Sequence, residues 1–233
     1  MIELVYSPRW FYGKDIAIDL ISIFVLSLIA FFSIKYYRLN RKNKKYIFLA
    51  SSFIMMALSF MFKIITNFTI YYHVLETKQI GFVRLTYFST QPSNILFFAG
   101  FLGYRILMLL GLYMLCSIYI KQSKANIILT AYLILALSYF SRSAYYIFHL
   151  TALILLVIIT SKYLENYKKT KHSTNKWLFY SFATITASNI IFIFVKISAV
   201  LYVIAEIVQL IGYVGLLITF TKVLKDGKKK GKK

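Results

Sequence analysis

The sequence predicts an all-α integral membrane protein, a bundle of seven transmembrane helices with the N-terminus outside and the C-terminus in the cytoplasm. Three observations predict it. Of 233 residues, 60% are hydrophobic and only 15% charged, against roughly 45–50% and 25% in soluble domains. Apolar windows of bilayer length, about 20 residues each, recur along the whole chain. The basic residues sort by alternate loops, as cytoplasmic loops require.

The windows fall near residues 16–37, 46–71, 95–120, 126–141, 143–163, 177–196 and 200–222. Before the first, MIELVYSPRWFYGKD has no apolar core of signal type. Trp10, Phe11 and Tyr12 beside Arg9 and Lys14 read as an interfacial anchor. The fourth window is short, and SRS at 141–143 could only kink one long segment. The sixth and seventh divide near Lys196–Ala199, which leaves a count of five or six spans open. The longest connection, 72–94, alternates near QIGFVRLTYF and reads as a hairpin or an interfacial segment. The chain forms a single polytopic domain over 1–224, with a basic cytoplasmic tail over 225–233.

Charge sets the orientation. Five basic residues lie in RLNRKNKK (38–45), two in KQSK (121–124), five in 162–176 and seven in 222–233; with Lys35 they total twenty on one side. Arg9, Lys14, Lys78, Arg84 and Arg142 are the five on the other. This distribution, rather than nucleic-acid binding, accounts for the net charge of +21. Lys228, Lys229, Lys230, Lys232 and Lys233 are the expected membrane-surface contacts, each worth about 1 kcal/mol near anionic headgroups. A cytoplasmic or membrane protein partner is a further expectation; nucleic acid is not.

Charges within the spans point to a site. A charged residue at mid-bilayer costs at least ~2.5–3.5 kcal/mol and usually faces the bundle interior. Asp19, Lys63, Arg105, His149, Lys196 and Glu206 come from six different spans, and all fall toward the outer half. Helical spacing aligns them with polar faces. Asp15, Asp19 and Ser22 share one face in the first span. Ser52, Ser59, Lys63 and Thr66 or Asn67 do so in the second. In the sixth the face is Ser181, Thr184 and Ser188, with Asn189 and Lys196 beside it; in the seventh it is Tyr202, Glu206, Gln209 and Tyr213. Gly100, Gly103 and Gly111, and likewise Gly212 and Gly215, read as close-packing surfaces.

Absences narrow the chemistry. A retinal Schiff base needs a lysine deep in the last span, which carries Glu206 instead. His73, His149 and His172 are too scattered for zinc or heme, and Cys116 is alone. Neither a nucleophile elbow nor a phosphate-binding loop occurs. No catalytic set is visible, and no cofactor is expected. Both prolines, Pro8 and Pro92, lie outside the spans, against the broken helices usual in transporters.

The expected function is binding or sensing of a small ligand, an anion among the candidates, through an outward polar cavity, at the cell membrane. Arg105 and Lys63 anchor it, with Glu206, Gln209, Asp19, His149 and Tyr202 around it and the outer loop as cover. The seven-span plan is similar to that of membrane receptors in architecture alone. Two alternatives stay open: a small transporter using Glu206 and Asp19 as proton or cation sites, and a structural subunit whose ion pairs hold the helices.

Overall fold

The computed structural model describes residues 7–39, 41, 43–71, 74–80, 83–89, 94–120, 122–142 and 144–230. Seven helices form among them: α1 (Lys14–Leu39), α2 (Lys45–Tyr71), α3 (Asn94–Ser117), α4 (Lys124–Phe140), α5 (Tyr145–Thr170), α6 (Ser173–Ile193) and α7 (Ala199–Lys230). Each expected window becomes one helix. The segment between α2 and α3 adds an antiparallel pair, β1 (Val74–Ile80) and β2 (Val83–Ser89), in register from Val74 opposite Ser89 to Ile80 opposite Val83. The alternation of this segment thus produces a hairpin, and the all-α expectation holds for the bundle alone.

Five helices, α1, α2, α3, α5 and α7, are long and apolar enough to cross a membrane. α4 is apolar but has only 17 residues. α6 has 21, but Ser181, Thr184, Thr186, Ser188 and Asn189 dilute its apolar character. The surface is that of a protein solvated by lipid: Phe24, Phe31, Ile128, Tyr132, Ile154 and Ile211 are all more than half exposed. Serines and charges lie inside, which inverts the usual soluble pattern.

Six helices close a ring. α1 packs on α2 and α7, α2 on α3, α3 on α5, α5 on α6, and α6 on α7. α4 lies outside this ring, against α3 and α5, and buries only Ile134 and Ser138. Ser123 starts it, accepting a hydrogen bond from Asn126 N; Ser141 caps its other end and α5 begins only at Tyr145, so the SRS segment separates two helices rather than kinking one.

Glycines set the tightest contacts, as the sequence pattern predicts. Gly100, Gly103 and Gly111 face Thr66, Phe62 and Met56 of α2, while Gly212 and Gly215 face Ile185 and Ser181 of α6. Removing the Cβ lets backbones approach, and Ser52 Oγ donates to Gly111 O across the gap at 2.6 Å.

Most of the ring interior is apolar, with Leu26, Ile29, Phe53, Phe60, Leu109, Leu156 and Phe182 almost fully buried. A smaller apolar cluster of Phe11, Phe192, Val195, Tyr202, Val203 and Ala205 sits at one end. It corrects the reading of the N-terminal aromatics. Trp10 and Tyr12 are exposed, but Phe11 is 5% exposed and plugs the start of α7. A 3-10 turn over Arg9–Phe11 turns it inward.

The C-terminus also differs from expectation. α7 continues past residue 222 to Lys230, so Lys228, Lys229 and Lys230 of the expected basic tail extend the last helix. Lysine is a good helix former, and a helix already nucleated by packing propagates cheaply. Lys232 and Lys233 lie outside the described residues.

Candidate functional site

The site lies at the end of the bundle where α1, α3, α5 and α7 begin and where α2 and α6 end. Every odd helix of the ring contributes its first turns, and every even helix its last. That alternation carries the ionisable residues of distant segments to one depth.

An ion-paired triad is its centre. Lys63 Nζ donates to Asp19 Oδ1 at 2.7 Å and to Glu206 Oε1 at 2.6 Å. Asp19 and Glu206 are 0% and 1% exposed, and Lys63 is 11% exposed. Three helices, α1, α2 and α7, are tied at one atom. Buried charges demand such pairing, because desolvating each ion costs several kcal/mol. Asp19 Oδ2 and Glu206 Oε2 are buried without a hydrogen-bond partner among the described residues. Asp15, one turn nearer the start of α1, accepts from Ile16 N at 2.9 Å and from Asn67 Nδ2 at 3.4 Å.

Arg105 is held differently. It is 2% exposed, and its Nη1 donates to Ser141 Oγ, in the turn between α4 and α5. Ser141 in turn donates to Ser138 O at 2.6 Å. The guanidinium lies 3.8 Å from the Phe101 ring centroid and 5.3–5.4 Å from those of Phe148 and Tyr145. A desolvated cation over aromatic faces gains about 2 kcal/mol or more.

Between Arg105 and the triad lies a partly open cavity of about 60 Å³. Arg105, Lys63, Glu206, His149 and Tyr202 line it, with Thr66, Asn67 and the rings of Phe101, Tyr104, Tyr145 and Phe192. His149 is fixed by stacking on Phe192, with centroids 4.6 Å apart, and its Nδ1 lies 3.3 Å from Asn189 Oδ1. A water occupies roughly 10–15 Å³ on this measure, so the cavity has room for a few waters or a molecule of a few heavy atoms.

Five of the expected residues, Arg105, Lys63, Glu206, His149 and Tyr202, therefore meet at one cavity. Asp19 stands behind Lys63 and reaches the cavity only through it. Gln209 lies deeper, beside a second space of about 10 Å³ with Asn189 and Tyr213, which holds at most one water. Lys196 is exposed past the end of α6, so it leaves the expected polar face. Among the described residues no group of His, Cys, Asp or Glu is placed to hold a metal ion.

Sequence reasoning missed the aromatic wall and Ser141. The signal for two of them was present: Phe101 and Arg105, and Tyr145 and His149, are each four apart and so share a helix face. Ser141 had none, because its partner is on another helix. No protein-family profile, curated protein or solved structure matches this chain.

Proposed function

We propose that this chain is a seven-span membrane protein, N-terminus outside, that binds or senses a small anion in its outward-facing cavity. The supporting observation is the pairing of Arg105 with an aromatic-walled space of about 60 Å³. A planar guanidinium offers five N–H donors in a fork that matches a carboxylate. The rings would accept a short apolar tail. The volume limits the ligand to the size of a short-chain carboxylate or an inorganic oxyanion.

Arg105 is the anchor in this reading. Lys63 bridges two carboxylates, and its ammonium serves chiefly to hold Glu206 in the wall. The hairpin between α2 and α3 emerges at the same end and would form the cover.

The test is thermal stability of the purified chain, screened against acetate, propionate, butyrate, lactate, phosphate and sulfate. A ligand at 100 times its Kd stabilises the folded state by about 2.7 kcal/mol. A shift in the wild type that vanishes in Arg105→Met and partly survives in Arg105→Lys supports the reading. An equal shift in Arg105→Met, or no shift with any of these anions, contradicts it.

A further inference from the structure

We infer that Asp19, Lys63 and Glu206 form a proton-binding site that holds one exchangeable proton between the two carboxyl groups, whatever occupies the cavity.

The inference rests on geometry and charge. Two carboxylates grip one ammonium, at 2.7 and 2.6 Å, and both are at least 99% buried. With both ionised, the triad carries a net negative charge inside the bundle. The remaining oxygens, Asp19 Oδ2 and Glu206 Oε2, have no hydrogen-bond donor among the described residues. An ionised carboxylate left so costs far more than a neutral acid. Two carboxyl groups sharing one site commonly settle this by sharing a proton. One then remains ionised against Lys63, and the triad is neutral.

The surrounding groups do not remove the imbalance. α1 adds Asp15, which is buried and accepts from Asn67. α3 adds Arg105 and Tyr104, α5 adds Tyr145 and His149, and α7 adds Tyr202, all on the cavity wall. α6 presents Asn189, which is uncharged. Among the described residues the ion pairs of Asp19 and Glu206 are both with Lys63, while Arg105 lies against Ser141 and Phe101, so the triad keeps its excess negative charge. A proton satisfies this better than a metal ion, since a hard cation demands six or more oxygen ligands. Glu206 and Lys63 line the cavity and Asp19 does not, so the proton exchanges with solvent through Glu206.

The experiment is infrared spectroscopy of the full chain in lipid bilayers at neutral pH, reading the carbonyl stretch of protonated carboxylic acids. The wild type is expected to show a band from one acid per chain, shifting downward in D₂O. Asp19→Asn and Glu206→Gln should each abolish the whole band, because the carboxyl group that remains keeps Lys63 to itself and ionises. Asp15→Asn should leave the band in place. Lys63→Met, if it folds, should raise it to two acids; if it does not, the two single carboxyl variants decide. A wild type with no such band overturns the inference. So does a band that persists in either Asp19→Asn or Glu206→Gln, since the proton would then belong to one acid alone. Neither reading depends on a ligand, so failure of the anion screen leaves this result standing.

Discussion

Lys63 Nζ stands 2.6 Å from Glu206 Oε1, joining residues 143 positions apart in the sequence. With Asp19 on the same ammonium, α1, α2 and α7 are pinned at one point. Breaking a buried pair by removing one partner costs about 3–5 kcal/mol, because a charge is left uncompensated. Lys63→Met is therefore expected to lower unfolding stability by about that amount. Glu206→Gln and Asp19→Asn should each cost clearly less, since one carboxylate still meets the ammonium. Reversible unfolding in mixed micelles of the three variants checks the order. Equal losses in all three would show that the triad stands or falls as one unit.

The α2–α3 contact depends on glycine. A Cβ at Gly111 would fall 2.7 Å from Met56 Cγ and 3.0 Å from Ser52 O. The second neighbour is backbone and cannot swing aside. Overpacking of this kind costs about 1–3 kcal/mol, and Gly111→Val should reach the upper end of that range. Ser52→Ala removes only the 2.6 Å hydrogen bond to Gly111 O and should cost about 0.6 kcal/mol, the average for such bonds between membrane helices. The same unfolding measurement separates the two.

Ser141 positions Arg105. Its loss leaves Arg105 without the hydroxyl that accepts from Nη1, though the Phe101 ring still holds the guanidinium. Hydrogen bonds to charged groups are worth about 1.5–3 kcal/mol. Ser141→Ala is expected to weaken anion binding by roughly tenfold or more, with a smaller effect on folding. Titration of the stabilising anion against the variant reads this directly. Unchanged affinity would show that the rings alone orient Arg105.

The helices were legible because hydropathy in a membrane chain is a strong signal and loop charge divides it. Every window from 16–37 to 200–222 became a helix. The depth of Asp19, Lys63, Arg105, His149 and Glu206 was legible too, by counting turns from each helix end. Who meets whom was not. Depth places Asp19 and Glu206 level with both Lys63 and Arg105, but only the order of helices in the ring puts both acids on Lys63. Burial of Phe11 was hidden for a related reason. An aromatic near a span end suits the interface as well as a core, and the choice depends on whether a gap exists beside Phe192 and Tyr202. Beyond Lys124 at its first position α4 carries no charged residue to mark an inner face, so nothing local told that it lies outside the ring.

The central claim is a cavity open to the outside that draws in anions through Arg105. The most direct measurement is the reaction rate of Asn67→Cys with an anionic, membrane-impermeant thiosulfonate reagent. Asn67 lines the cavity, and the native thiol, Cys116, is buried and is replaced by alanine in this background. Modification is predicted from the outer side, faster than by a cationic reagent of equal size, with that preference lost in Arg105→Met. Reaction only from the cytoplasmic side, or a preference for anions untouched by Arg105→Met, would contradict the account.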